Sequence, residues 1–343
     1  MKRTIVTLCV ICAVLVCVFT TASAAVETVA PEVVTGSRIY TSLDELPAPT
    51  CVITAEDIEQ SSAEDLATVL EQNVPGVFVK QKSGVGQDAQ ITMRGVVTQV
   101  LVLVDGVPLY RSSHGSDAAT VDYRAFPLEN IERVEVVKGG GSAVYGSMAA
   151  GGVINIITKT PHKTEAITLA ETGPNGWRRY YVSGSSAVEN MAARVWYEHI
   201  DEGRKRLLYD TTPDQQYNSL DYDEEAYGVS VTGDRWVLRA AKGEYQYKYN
   251  TPAWGGGLDF NNEKKKYSRY SFRYDWDNLY LLTGYDTQRY DILQNINNYY
   301  VDSAFTTEVG GKSVFGDFIV AWGVFYRYED TDFCGGGASP VVS

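Results

Sequence analysis

Two spacings of apolar residues divide the chain. Between residues 91 and 158 the apolar positions fall in short β-branched runs bounded by glycine or Asp-Gly, a pattern of compact strands joined by tight turns. Residues 100–104, Val-Leu-Val-Leu-Val, are apolar throughout and predict a strand covered on both faces, whereas 131–138 mixes Ile131, Glu132, Arg133 and Glu135 with valines and predicts a half-covered one. Beyond Pro161 the spacing becomes strict alternation. Tyr270, Phe272, Tyr274 and Trp276 interleave with Arg269, Ser271, Arg273 and Asp275; Phe318, Val320, Trp322, Val324, Tyr326 and Tyr328 interleave with Asp317, Ala321, Gly323, Arg327 and Glu329. Tyr245, Tyr247 and Tyr249 alternate with Gln246 and Lys248 in the same way. Period two over about ten residues, with aromatics at the ends, fits strands whose apolar face meets lipid and whose polar face lines a lumen.

About eight such strands are predicted, near residues 164–171, 178–186, 191–200, 225–231, 236–249, 267–276, 279–290 and 313–328. Residues 40–90 have a helical period instead. Thr54 and Ser62 each precede Ala-Glu-Asp, a capping-box-like start with an acid three residues on. The second predicted helix, 63–72, places Leu66, Val69 and Leu70 on one face, as in ordinary core packing, and Val74-Pro75-Gly76-Val77 ends it.

Composition sharpens the division at Pro161: all six Trp and 20 of the 24 Tyr lie beyond it, so the second half is built for a different solvent. The formal charge of −13 argues against a nucleic-acid binder, and the longest basic run, Lys264-Lys265-Lys266, reads as a solvated loop. Residues 1–24 carry Lys2 and Arg3, an apolar run and Ala22-Ser23-Ala24, the pattern of a secretory signal peptide. Cys9, Cys12 and Cys17 lie within it, which leaves Cys51 and Cys334 far apart and predicts no disulfide framework. No later stretch approaches the roughly 20 apolar residues of a membrane helix, so any span must be made of strands. Neither a phosphate-cradling glycine loop nor a Gly-x-Ser-x-Gly elbow is present, and the chain reads as a non-enzyme.

Five motifs in order give the stretch a family likeness: Arg94-Gly95, Leu103-Val104-Asp105-Gly106-Val107, the run 131–139 ending in Lys138-Gly139, Ser142-Ala143-Val144-Tyr145-Gly146-Ser147, and Gly151-Gly152-Val153-Ile154-Asn155-Ile156-Ile157-Thr158. Together they resemble the plug domain of TonB-dependent outer-membrane receptors. The departures are Lys138-Gly139-Gly140 in place of the family's Arg-Gly-Pro, and Met148 in place of an acidic or amide residue. Lys lacks the planar fork of Arg, so a bidentate pairing at 138 is not expected.

The resemblance implies an α+β plug domain inside an antiparallel transmembrane β-barrel: signal peptide 1–24, TonB-box segment 25–40, plug 41–160 and partial barrel 161–343. It places a TonB box, which pairs as an added strand with the periplasmic energy-transducing protein, among Glu27, Thr28, Val29, Glu32, Val33, Val34 and Thr35. It assigns plug anchoring and shaping to Arg94, Asp105, Gly106, Arg133, Lys138, Tyr145 and Gly146, with the cations paired to lumen carboxylates or within the plug. It turns two loops, with Ser83, Gln87 and Asp88, and with Tyr110, Arg111 and His114, toward an external ligand. The implied function is uptake of a scarce chelate, a ferric siderophore or cobalamin, by a monomer of the bacterial outer membrane. No cofactor is implied, except that Asp210, Asp221 and Asp223 in an acidic loop suggest calcium, a solvated loop being the alternative. Plugged transporters have about 22 strands, so the chain is expected to be the amino-terminal portion of a receptor. A non-transporting remnant or plug-type binding module is the other reading.

Overall fold

The computed structural model describes residues 35, 38, 49–81, 89–96, 100–109, 121–139, 142–146, 149–203, 205–207, 217–252, 258–293, 298–315 and 318–334. The amino-terminal unit runs β1 (Thr50–Thr54), α1 (Ala55–Gln60), α2 (Leu66–Asn73), β2 (Val77–Gln81), β3 (Ala89–Met93), β4 (Val100–Val104), β5 (Val107–Pro108), β6 (Ile131–Val137), α3 (Ser142–Tyr145) and β7 (Gly152–Thr158). Five strands form one sheet in the order β1-β6-β7-β4-β5, with β4 and β7 parallel, and β2 and β3 form a separate hairpin.

As the sequence predicts, β4 is covered on both sides. Val100 and Val102 join Leu66, Leu70, Val134, Val136, Ile154 and Ile156 in one cluster, while Leu101 and Leu103 join Val137, Ala149 and Val153 in another. Each such side chain contributes about 1.5–3 kcal/mol on full burial. The expectation of a half-covered β6 is corrected: Glu135, on its charged face, is fully buried because Thr35 and Asn155 close over it. The cap of α1 is the predicted box, with Thr54 and Asp57 bonded reciprocally. That of α2 is Asp65, not Ser62; its carboxylate accepts from the backbone N–H of Thr68 at 2.8 Å.

The second unit is a single antiparallel sheet of β8 (Glu165–Thr172), β9 (Arg178–Val188), β10 (Met191–Glu202), β12 (Tyr217–Gly233), β13 (Trp236–Pro252), β14 (Leu258–Asp275), β15 (Leu279–Ile292), β16 (Asn298–Phe315) and β17 (Phe318–Cys334), with the short β11 (Lys205–Leu207) paired to β12. The stretch 313–328 is therefore not one strand. One strand ends at Phe315 and the next begins at Phe318, and Asn298–Phe315, whose Gly310-Gly311 weakens its pattern, is a strand the alternation does not reveal. β12 and β14 also start earlier than expected, because their polar outer ends carry no apolar alternation. Strands follow one another after two or three residues at one end of the sheet (189–190, 234–235, 276–278 and 316–317), and after longer intervals at the other.

One face of this sheet is apolar and open: Tyr227, Val229, Leu238, Tyr270, Tyr285, Phe305 and Val309 are exposed. The opposite face, turned to the first unit, buries Arg194, Glu198, Glu224, Lys265, Asp286 and Glu308. Tyr245 and Tyr247 are also buried there, which reverses the expectation for that stretch. Tyr is amphipathic, and inside the wall Glu263 accepts phenol hydroxyls: Tyr247 donates to it, and so does Tyr249 at 2.8 Å. Lys264-Lys265-Lys266 is likewise not a loop but part of β14, and the Lys265 ammonium lies 5.4–5.6 Å from the rings of Tyr245, Tyr247 and Tyr290.

Candidate functional site

The two units meet through their polar faces. Asp105 and Gly106 both take positive φ (52° and 82°) in the turn between β4 and β5, a conformation for which Asp-Gly is well suited. The Asp105 amide donates to the Ile156 carbonyl at 2.9 Å and the Gly106 amide to Asn155 Oδ1 at 3.1 Å. The Asp105 carboxylate accepts from the Thr158 amide and hydroxyl, each at 2.9 Å at the nearest, and lies 3.5 Å from Arg239 Nε on β13. Arg239 also donates to Thr160 Oγ1 at 2.8 Å. Burial pushes the Asp105 carboxyl above the usual range, against the opposing pull of Arg239 and Thr158. A cavity lies between this turn and the facing sheet, lined by Asp105, Thr158, Lys159, Arg239, Arg269 and Asp286 among others.

A second contact fastens the segment that precedes the first sheet. Thr35 is buried; its amide donates to Glu135 Oε2 at 2.8 Å, its hydroxyl donates to the same oxygen, and that hydroxyl accepts from Asn155 Nδ2 at 2.9 Å. The Tyr145 hydroxyl donates to the Thr35 carbonyl at 2.9 Å. Three residues on, the Arg38 guanidinium sits 4.1 Å from the centre of the Tyr145 ring and pairs with Glu308 on β16. Burial raises the Tyr145 hydroxyl's pKa and lowers that of Arg38.

A third contact is built from two arginines among several carboxylates. Arg124 lies 3.5 Å from Asp65 and 3.7 Å from Glu202 on β10. Arg179 on β9 pairs with Glu129 of the first unit and with Glu198 on β10 at 2.7 Å. Burial opposes the charge of Arg124, but Tyr222, Asp65 and Glu202 more than hold it in place.

Comparison with known proteins agrees with this architecture. Residues 42–153 match the family described as TonB-dependent Receptor Plug Domain. The chain carries a TonB-dependent receptor plug domain. Its fold matches solved receptors as well. The ferric enterobactin receptor of Pseudomonas aeruginosa superposes with a TM-score of 0.63 at 20% identity, over 88% of this chain and 51% of that one. The siderophore receptor PirA from Acinetobacter baumannii gives 0.57 at 19%, over 83% and 48%. FpvA of P. aeruginosa, in complex with a pyoverdine and iron, gives 0.52 at 14%, over 88% and 54%. The chain thus spans about half the length of the solved receptors it matches, and its second unit has the fold of part of their barrel.

The anticipated plug residues divide into three groups. Asp105 reaches the barrel wall, and Gly106 shapes the turn. Arg133 is paired within the plug, with Glu132 at 2.8 Å and Glu135 at 2.9 Å. Lys138 contributes a backbone bond to Pro49 O at 3.1 Å, and Arg94, at positive φ, lies against Gly139. Among the described residues neither makes an ion pair with the wall, and the plug–wall pairs instead use Arg38, Asp105, Arg124 and Glu129. Tyr145 holds Thr35 and Arg38, and Gly146 takes φ 78° just after α3. Of the TonB-box residues, only Thr35 is described; Glu27, Thr28, Val29, Glu32, Val33 and Val34 lie outside the described residues, as do Ser83, Gln87, Asp88, Tyr110, Arg111, His114 and Asp210. Asp221 is paired with Lys248 at 2.7 Å, and among the described residues no group of three His, Cys, Asp or Glu side chains is placed to hold a metal ion.

Sequence reasoning did not find Arg124, Glu129, Arg179, Arg239 or Glu308. The one available signal was the presence of charged residues on the polar face of predicted strands, which marks a lining but not a partner. The inward aromatic group was also missed. Tyr245, Tyr247 and Tyr249 stack at 6.3 Å and 5.7 Å, and Tyr290, Tyr300 and Phe333 continue the group at 6.1 Å and 4.6 Å. It sits toward the end of the wall that carries the longer connections.

Proposed function

We propose that this chain is an outer-membrane receptor, not an enzyme, that takes up a ferric siderophore with energy supplied by the TonB complex. The observation that carries the reading is the wall's two faces: an apolar band of Tyr227, Val229, Leu238, Tyr270, Tyr285 and Phe305 turned outward, and a charged face turned onto the plug. A soluble sheet of this size has no reason to present that band to water, whereas a membrane barrel must present one to lipid.

Turn length supports an orientation. Outer-membrane barrels keep short turns on the periplasmic side and long loops outside. The inward aromatic group then faces outward from the cell, where a chelate arrives, and the Arg38–Glu308 pair lies toward the periplasm. Residues 27–34 lead directly into the buried Thr35, so a partner that adds a strand to this segment pulls on β6 and β7 through Glu135 and Asn155. The loops bearing Ser83, Gln87, Asp88, Tyr110, Arg111 and His114 complete the ligand site in this reading. The ferric enterobactin receptor and the FpvA–pyoverdine–iron complex share this fold, which favours a ferric siderophore over cobalamin.

Expression of the full chain, outer-membrane fractionation and a heat-modifiability gel test the membrane reading. A folded species in the outer membrane is the expected result, and a soluble or degraded product overturns it. Quenching of Trp fluorescence by ferric catecholate, and not by a corrinoid, is the expected ligand result.

A further inference from the structure

One wall glycine is there for space, not for torsion. Gly284 lies in β15, in register with Ser271 and Thr306, and has no positive φ, so its backbone is extended and open to any residue. A Cβ placed on it would stand 2.5 Å and 2.6 Å from the two methyl carbons of Val107 and 3.1 Å from its Cβ. Such a contact is not sterically available to real side chains. Other wall glycines are crowded by the wall's own aromatics, Gly228 by Trp196, Gly243 by Tyr267 and Gly310 by Tyr280; among the described residues, Gly284 is the one whose space is taken by the plug.

The surroundings reinforce the fit. Val107 follows the Asp105-Gly106 turn and is buried with Tyr280 and Leu282 of the same wall strand in a small apolar cluster. A Cβ on Gly106 would come within 3.2 Å of Leu282 Cδ2. Asp105 beside it pairs with Arg239 two strands away. The hairpin is thus gripped by a knob in a pit on β15 and by an ion pair on β13.

We propose that Gly284 is a positioning residue, the pit that receives Val107 and seats the plug shut against this wall. The inference rests on the plugged-barrel reading above and adds the element that fixes the closed position. Packing of this kind is steep in distance, because overfilling a tight interface forces side chains off their rotamers or shifts backbone. β5 leads straight into residues 110–116, so the pit fixes the base of the loop assigned to the ligand.

Exchange of knob and pit tests it in the full chain, with trypsin accessibility of the plug as the readout in membrane-embedded, heat-modifiable protein. G284V is expected to speed plug cleavage about tenfold. V107G alone, which removes packing without a clash, is expected to do so about threefold. The double variant V107G/G284V, which returns the volume from the other side, is expected to fall within about twofold of wild type. Equal cleavage of G284V and wild type, or a double variant no better than G284V, overturns the proposal.

A second measurement does not depend on the membrane. With Cys51 and Cys334 replaced by serine, V107C/G284C is expected to form a disulfide on mild oxidation of the purified chain, since the two Cβ positions, 3.1 Å apart, need to separate by only a few tenths of an ångström to enter the usual span of about 3.5–4.5 Å. Failure to cross-link in a chain whose α1 and β6 amides are protected from exchange overturns the pit. Failure of wild type to reach the outer membrane, with the cross-link formed, overturns the receptor reading and leaves the pit standing.

Discussion

The plug sheet and the barrel wall are both made of β-strands, yet they spend their apolar residues in opposite directions. The plug folds inward: β4 is buried on both faces, while Asp105, Arg124 and Glu129 reach the wall from its rim. The wall has no core of that kind. Its exposed band of Tyr227, Val229, Leu238, Tyr270, Tyr285 and Phe305 points away from the protein, while Arg194, Glu198, Glu224 and Asp286 point in beside buried rings such as Tyr222, Tyr245 and Tyr267. The two therefore meet largely through polar groups, and their junction combines ion pairs and capped turns with small apolar contacts such as Val107 against Tyr280 and Leu282. A junction of that composition holds firmly while every partner is present and is sensitive to the loss of one.

Breaking the junction at Asp105 should have the largest effect. D105A leaves the half-buried Arg239 beside an apolar methyl and removes the acceptor of the Thr158 amide; loss of one partner of a fully buried pair costs roughly 3–5 kcal/mol, the upper bound here. The midpoint for plug unfolding in urea, followed by exchange protection of β7, should fall accordingly, while the wall's heat-modifiability is retained. Because burial raises the Asp105 carboxyl, its folded form binds the proton more tightly than the unfolded chain does. Its contribution to stability therefore declines as pH rises from the ordinary aspartate value through the raised one. D105N should remove that slope; a variant that keeps it would show that the slope belongs to another group.

The wall's two faces can be told apart by one charge moved by one residue. Y270K places an ammonium in the outward band, where a barrel pays about 2–4 kcal/mol near mid-membrane. S271K places it on the inner face, beside the cavity, where the cost should be much smaller. The fraction of chain folding into lipid vesicles measures both. Equal losses would mean that the outward face does not meet lipid.

Much of this contrast was legible in the sequence because it rests on local pattern. Val100–Val104 announced two-sided burial, Asp105-Gly106 announced a tight turn, and Tyr270, Phe272 and Tyr274 announced an apolar face. The illegible part depends on pairing across distance. Arg239 lies 134 positions from Asp105 and Glu129 lies 50 from Arg179, and no spacing links them. Tyr245 and Tyr247 misled for a different reason: a phenol alternating with Gln and Lys is the less polar member of the pair, yet its hydroxyl is at home inside once Glu263 is available.

Thr35 sharpens the comparison at the point where the plug meets the segment leading into it. T35V keeps the shape but removes the hydroxyl shared by Glu135 and Asn155, leaving two buried polar groups short of a partner at about 1–3 kcal/mol. Cleavage at Arg38 by trypsin should quicken while protection of β4 is unchanged. Loss of protection across the whole plug would instead make Thr35 part of its core.

The smallest effect should come from the edge of the plug that faces neither the wall nor its core. T54A removes the cap of α1, worth about 0.5–2 kcal/mol. The partner in that cap, Asp57, has its pKa lowered by hydrogen bonds from Thr54, the opposite of Asp105. Its stabilisation is present above the ordinary aspartate value and is lost as pH falls through the lowered one. Wild type minus T54A should therefore give a stability difference that shrinks on acidification, whereas wild type minus D105N should change most on the alkaline side of the ordinary aspartate value. Amide exchange of α1 as a function of pH reads the first directly. If T54A costs the same at every pH, the hydroxyl acts as a cap for the helix alone, and the reciprocal bond to Asp57 carries none of the stability.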